Sequence, residues 1–493
     1  MIEIYNISQL QNDKILLESI LLKVGLHKEN VKSPCSMLGC LLNTLRDDLV
    51  VAIEYDYVDS MFRDEYYHYY ATKFSSVQRN CSRMSIFNQG FIFPNQAVDY
   101  TKAREIAESY LGYIVIRPIV RCIGRNVIAV SAKKSGLDNI RICQTRVRTT
   151  ALGIKVSVCG FPHSSQDGEV LACAETSLWE ILAYYGNKYV RYRPVSPFEI
   201  MEALRPSLDH RQLPSKGLTF CQIARGLKTF GFSPEFNSLY KKKIIDRKVC
   251  WTFDSEQLEV LSCYIESGFP LVFCLEGNQI GHAVVCIGKS KIEEPCISET
   301  LMDKVYYFPY KAVSEIVVND DNVACYQKTH VKTPTDYYSE EIWKDVKLTN
   351  FIVPLPSRVY MDALMAINQM KYWLPQFAPE KSCARIFLAS CRSFRDHLAN
   401  SHLLNNDNKN VLLEINLPRF AWICEFGNRE DFQNECHTGL IVVDATELSE
   451  RSCSMLVLMI NQDGKGFLYH DCTFKKLALP TTFKLETYNK NIY

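Results

Sequence analysis

The sequence predicts an α+β fold, and three observations carry that prediction. Apolar residues recur at three-to-four spacing early in the chain, in residues 15–22 and 37–45, as an amphipathic helix requires. From Tyr113 the period changes to two, which is the mark of half-buried strands. Further on, a group of helices comes first and a set of strands follows at short intervals, an order that builds helices against an antiparallel sheet.

Taken in order, residues 1 to about 110 read as mainly helical. The aromatic run Glu65-Tyr-Tyr-His-Tyr-Tyr has no basic surround, so it reads as a helix face packed on its neighbour and not as a stack for bases. Strands are expected at 113–120, 126–130, 140–143 and 154–158. A helix that opens at Cys173 and stops at Gly186 comes next, then one near Pro197 and a third from Thr219 to Phe230, closed by Gly231. After a helix at 256–267, strands are expected at 271–275, 282–287, 305–308 and 316–318. The polar stretch 328–336 reads as a linker to a last region with a helix near 358–372 and strands at 440–444, 455–459 and 467–469.

The chain has 493 residues, more than one core accommodates, so two or three domains are expected. Hydrophobic residues make up 47% and charged residues 23%, which supplies material for cores and argues against extensive disorder. A net charge of +1 gives no global field toward nucleic acid or an anionic membrane, and Lys241, Lys242 and Lys243 read as a solvated surface run. The 20 cysteines are scattered and many fall in apolar runs, so most are expected to be reduced core residues. Neither a signal peptide nor a membrane-spanning stretch is evident, which predicts a cytoplasmic protein. With no Cys-x-x-Cys pair, no His-x-x-x-His spacing, no Gly-x-Gly-x-x-Gly and no Walker loop, neither a zinc site nor a nucleotide site is expected.

One constellation carries chemistry. Cys173 stands at the first turn of a helix, where unpaired N–H groups and the helix dipole favour a thiolate nucleophile. His282 follows Gly281 at the start of a strand and offers a base. Asp320 closes a later apolar strand and offers an orienting acceptor, with Asp321 and Asn319 as alternatives. Gln166 lies in a polar turn seven residues before Cys173, and its amide offers an oxyanion donor beside the Cys173 N–H. Singly, each has an ordinary structural explanation: a core thiol, a strand-start imidazole, a turn. It is the ordered set that points to covalent catalysis.

The set resembles the papain-like cysteine peptidases, and among them the bacteriocin-processing, double-glycine-leader peptidases and their free-standing bacterial relatives. The likeness rests on Gln166, Cys173, Ile181-Leu182 and Tyr184-Tyr185-Gly186, on His282-Ala-Val-Val, on Val318-Asn319-Asp320, and on Lys216-Gly-Leu-Thr before a helix. It covers residues 160–325, about a third of the chain. Three departures stand out: Gln166 is one residue further from the cysteine than usual, an inserted loop near 289–303 lengthens the span from His282 to Asp320, and Asp321 replaces the customary proline.

The resemblance implies a papain-like catalytic domain at 151–330, a helix bundle packed on an antiparallel sheet. Accessory regions flank it, 1–150 (helical, then β-rich) and 331–493 (α+β). It implies a cysteine peptidase that cleaves a peptide or isopeptide bond through a Cys173 thioester, with His282 as base and acid and Asp320 as orienter. The substrate would be a protein or peptide, no metal or organic cofactor is required, and no nucleic-acid or membrane partner is implied. The same triad serves a transglutaminase-like or deamidating acyl transferase, and an inactive papain-like binding module is the reading outside enzymes. Arg392, Trp422, Glu425, Asp444 and His437 in the last region are read as structural.

Overall fold

The computed structural model describes residues 1–493 apart from 95, 135, 138, 208–214, 246–247, 292–296, 448–454, 471–472 and 492–493. It is a mixed α+β protein built on antiparallel sheets. The N-terminal sheet has five strands in the order Ile2–Asn6, Leu49–Tyr57, Cys81–Asn88, Tyr110–Ile116 and Ile123–Ile128. Helices Lys14–Val24 and Lys32–Asn43 form where the apolar spacing predicts them.

The stretch to residue 110 holds more helix than strand, but the expectation missed the strands Leu49–Tyr57 and Cys81–Asn88. Both lie inside the sheet, and Leu49 to Ile53 are all buried. Leu49 to Ile53 is apolar without alternation, as in a strand covered on both faces, and Cys81–Asn88 buries the polar Ser82, Arg83 and Ser85 among its apolar residues, so neither shows a clean period of two. The aromatic run falls on helix Ser60–His68 and the turn Tyr70–Thr72, and His68 stacks on Phe198 of helix Pro197–Leu204.

The central sheet runs Gln327–His330, Glu315–Asn319, Gly281–Ser290, Leu271–Glu276, Lys347–Pro356, Phe232–Ser238, with Ile140–Ile142 added to the far end of Gly281–Ser290. The C-terminal sheet has eight strands and starts with the hairpin Ile297–Leu301 and Lys304–Phe308. That hairpin attaches to Cys383–Ser390 by the parallel pairing of Tyr307 with Cys383. It accounts for part of the insertion expected near 289–303; residues 292–296 lie outside the described residues. The side chains of Lys241 to Lys243 also lie outside them, while their backbone forms one arm of the hairpin Tyr240–Ile245 and Lys248–Phe253.

Strands therefore cross the expected boundaries at 150 and 330: Ile140–Ile142 and Lys347–Pro356 belong to the central sheet, and the 297–308 hairpin to the C-terminal one. The two faces of the central sheet close two different cores, as the period of two dictates. Ala283, Val285, Ile287 and Val272 join the core shared with the N-terminal sheet and the Cys173 helix. Val284, Cys286, Leu271 and Phe273 join the core shared with the C-terminal sheet.

The Cys173 helix is central to this packing. It spans Cys173–Lys188, and every residue from Ala174 to Tyr185 is buried, the pattern of a helix enclosed on all sides. It does not stop at Gly186, which corrects the expected C-terminus. Gly186 is there because the chain crosses it: a Cβ would lie 2.6 Å from the Pro194 nitrogen and 2.7 Å from the Arg193 carbonyl carbon.

Candidate active site

Cys173 begins its helix without a side-chain cap, since Ala172 occupies the N-cap and has nothing to donate or accept. The first N–H groups of the helix thus point out of its end, beside a half-buried thiol. The described cysteines are all free, and most are buried. Burial pushes the Cys143 thiol up to about 11 and the Cys122 and Cys274 thiols up to about 12, which keeps them protonated and inert.

His282 sits at the start of strand Gly281–Ser290, and its Nε2–H donates to Asp320 Oδ1 at 2.9 Å. The Cys173 sulfur is near enough to the same imidazole to bear on its charge, and with Nε2 on Asp320 the ring nitrogen left to face it is Nδ1. Burial alone would lower the His282 pKa. The Asp320 carboxylate and the Cys173 sulfur outweigh it and raise the imidazole well above its ordinary value.

Asp320 immediately follows strand Glu315–Asn319 and is fully buried. Its Oδ1 also accepts the Asn322 N–H at 2.9 Å, and its Oδ2 accepts the hydroxyls of Tyr337 at 2.8 Å and Tyr338 at 2.9 Å. Burial pushes this carboxyl up, but the His282 charge and these donors hold it below the ordinary carboxylate value. The Asp320 carbonyl faces the buried His163 at 3.0 Å from Nε2, and His163 Nδ1 meets the Asn126 amide at 3.0 Å. Burial lowers His163 to about 4, so it is neutral and donates from Nε2 to the Asp320 carbonyl.

Of the alternative orienters, Asp321 Oδ1 lies 3.9 Å from His282 Nε2, and neither of its buried oxygens has a hydrogen-bond partner. Burial and the neighbouring Asp320 charge raise it to about 7. Asn319 turns elsewhere: its Oδ1 accepts from the Tyr326 N–H at 3.0 Å. Gln166 gives its amide to Asn322 Oδ1 at 2.7 Å, which ties the loop before Cys173 to the turn after Asp320. The same amide nitrogen carries a second N–H, the donor on which the expected oxyanion role rests.

Several residues that support this arrangement were not found from sequence. Trp343 meets the His282 ring edge-on at 5.3 Å between centroids and stacks on Tyr338 at 4.0 Å, covering the imidazole. The stretch 328–336, expected to be a linker, is instead strand Gln327–His330 on the edge of the central sheet and the turn that delivers Tyr337 and Tyr338. The N-terminal region clamps the Gln166 loop. Arg117 donates to the Ser165 carbonyl at 2.9 Å, Tyr70 to Asp167 at 3.1 Å and Tyr69 to Glu169 at 2.6 Å, while Arg121 donates to Asn322 at 2.8 Å. The pair Tyr337-Tyr338 beside Asp336 was an available signal, but nothing in its spacing names the partner.

Among the described residues, His282, Asp320 and Asp321 form a group whose donor atoms lie within 4.8 Å of one another, close enough for a metal ion. Asp320 is poorly suited to ligation, because four donors already occupy its lone pairs. No described helix is long and apolar enough to cross a membrane. Compared with known proteins, the chain matches no family model and no curated protein sequence.

Proposed function

We propose that this chain is a papain-like cysteine peptidase with Cys173 as nucleophile. The observation that carries the reading is His282 held by Nε2 on a fully buried Asp320, with the Cys173 sulfur, at an uncapped helix start, near enough to bear on the imidazole's charge. In the reaction His282 Nδ1 takes the thiol proton, and sulfur attacks the scissile carbonyl carbon. The negative charge on oxygen is met by the Cys173 backbone N–H and the Gln166 amide. Collapse expels the amine, which leaves with the proton from His282, and a thioester remains on Cys173. Water, deprotonated by His282, then releases the acid and restores the thiol. Asp320 stays ionised throughout and holds the imidazole in the tautomer that the first step needs.

The test is mass determination after treatment with a peptide-like electrophilic probe, comparing wild type with Cys173→Ala and His282→Ala. A peptide-like probe is needed because Cys40, Cys159 and Cys221 are exposed and a simple alkylator would reach them. One adduct on wild type, none on Cys173→Ala, and labelling slowed on the order of 10-fold or more in His282→Ala at neutral pH are expected. Diffuse labelling that survives Cys173→Ala would favour the inactive binding module. Supplying a primary amine during turnover separates hydrolysis from acyl transfer by the mass of the product.

A further inference from the structure

Strand Ile2–Asn6 is the outer member of the N-terminal sheet, paired on one side with Leu49–Tyr57. The phase of its backbone hydrogen bonds follows from two contacts. The register that sets Ile2 opposite Glu54 puts Met1 opposite Tyr55, and the Tyr55 N–H donates to the Met1 carbonyl at 3.1 Å. Bonded pairs recur at steps of two in an antiparallel ladder, so Glu3 and Tyr5 turn their backbone groups into the sheet. Asn6 has the other phase, and its N–H goes outward to Gln9 Oε1 at 3.1 Å. Ile2 and Ile4 share that outward phase. Among the described residues, none pairs with the outward N–H and C=O of either.

A recess of about 500 Å³ follows this edge. Ile2, Glu3, Ile4 and Tyr5 all line it, although successive side chains of a strand point to opposite faces. A recess that touches both sets, and no described residue of Leu49–Tyr57, lies along the outer edge of the sheet. Gln96, Ala97, Val98 and Tyr100 form the facing wall, so a chain that enters is enclosed on two sides. No proline, lysine or bulge blunts the edge, since the register of Ile2–Asn6 runs without a shift. Glu3 is the charged residue of the lining, and Lys23 already pairs with it at 2.6 Å.

We infer that this recess takes an extended peptide segment, which joins the N-terminal sheet as an added outer strand through the backbone groups of Ile2 and Ile4. An extended backbone offers donors and acceptors at the spacing of a strand edge, and uncharged side chains suit the lining. The facing wall favours a single segment over a second copy, because two copies paired edge to edge would bring their walls into the same space. The proposal does not rest on the peptidase reading, since no residue of the recess belongs to the candidate active site.

The test uses the full-length chain carrying Cys173→Ala, so that no probe is cleaved. Dye-labelled, end-capped heptapeptides in which valine, isoleucine or tyrosine alternates with threonine are titrated by fluorescence anisotropy. At least one should bind with a Kd on the order of 10–100 µM. Adding Ile2→Pro removes an outward donor and leaves the ladder to Leu49–Tyr57 intact, so circular dichroism should be unchanged while binding weakens about 10-fold or more. Hydrogen exchange gives a readout free of any change at the edge. With peptide bound, the Ile4 amide should slow about 10-fold or more, while Glu3 and Tyr5, already in the ladder, change little. A set in which no peptide binds more tightly than about 1 mM overturns the proposal. Binding unchanged in the Ile2→Pro protein, or an Ile4 amide that the peptide does not slow, overturns it equally. A dimer in analytical ultracentrifugation that Ile2→Pro dissociates and the peptide does not would give the edge to a second copy and overturn the assignment to a peptide.

Discussion

Asp320 and Asp321 are adjacent carboxyls with opposite fates, and the difference lies in their donors. Asp320 receives His282, Asn322, Tyr337 and Tyr338, whereas both oxygens of Asp321 are buried without a partner. Turnover on a cleavable peptide should therefore fall on the order of 10²–10⁴-fold in Asp320→Ala and much less in Asp321→Ala. A larger loss in Asp321→Ala would reverse the assignment. Tyr337→Phe and Tyr338→Phe should each cost about 3- to 30-fold, because each removes one hydrogen bond to a charged acceptor. The pH dependence of stability follows from the same contrast. His282, raised in the fold, contributes stability that is complete below the ordinary imidazole value and lost as pH rises through its folded value. Asp320, lowered in the fold, contributes above the ordinary carboxylate value and loses that contribution as pH falls through its folded value. Asp321 acts in the opposite sense: raised to about 7, it keeps its proton in the fold while the unfolded chain ionises. Its cost thus grows between roughly pH 4 and about 7, then levels. Asp321→Asn should raise Tm relative to wild type by an amount that increases across this window and is constant above it. A difference that does not vary with pH would show that Asp321 ionises normally in the fold.

At the scale of elements, the helix from Cys173 to Lys188 is the member on which the site depends, and at Gly186 the crossing chain packs closely against it. Gly186→Ala would drive a methyl group into the Arg193–Pro194 backbone, which cannot swing aside as a side chain can. A loss of about 1–3 kcal/mol in denaturant unfolding is expected, and a neutral result would mean that the crossing segment yields easily. From sequence this glycine reads as a helix stop, since a Cβ-free residue near a helix end serves either purpose and only the path of 193–194 decides. Helices Pro197–Leu204 and Phe220–Thr229 were legible because their starts are written locally, each with a capping box, Ser196 with Glu199 and Thr219 with Gln222. Strands Leu49–Tyr57 and Cys81–Asn88 were not, since Leu49 to Ile53 are apolar on both faces and Cys81–Asn88 buries the polar Ser82, Arg83 and Ser85 among its apolar residues. The same division holds within the candidate site. Cys173, His282 and Asp320 stand at element ends that local patterns mark, whereas His163, Tyr337, Tyr338 and Trp343 reach it through contacts between distant segments.

On the scale of the whole molecule, the regions on either side of residues 151–330 are structural partners of the candidate site. Strand Lys347–Pro356 lies between Leu271–Glu276 and Phe232–Ser238, so a fragment that ends at 330 splits the central sheet in two. Such a fragment also loses Tyr337, Tyr338 and Trp343 from around Asp320 and His282, and Arg117, Tyr69 and Tyr70 from the Gln166 loop. Its 297–308 hairpin would be left without Cys383–Ser390. Two opened sheet edges and two stripped apolar faces favour association between chains over folding. Residues 151–330 expressed alone should therefore be insoluble, or soluble without a cooperative thermal transition. In the full chain, hydrogen exchange of the amides in Leu271–Glu276 and in Lys347–Pro356 should slow to similar extents, because the two strands open together. A soluble 151–330 fragment that melts cooperatively and reacts with the peptide-like probe at Cys173 would show that the catalytic unit is independent. The strands shared across residues 150 and 330 would then be attachments to a finished sheet and not parts of it.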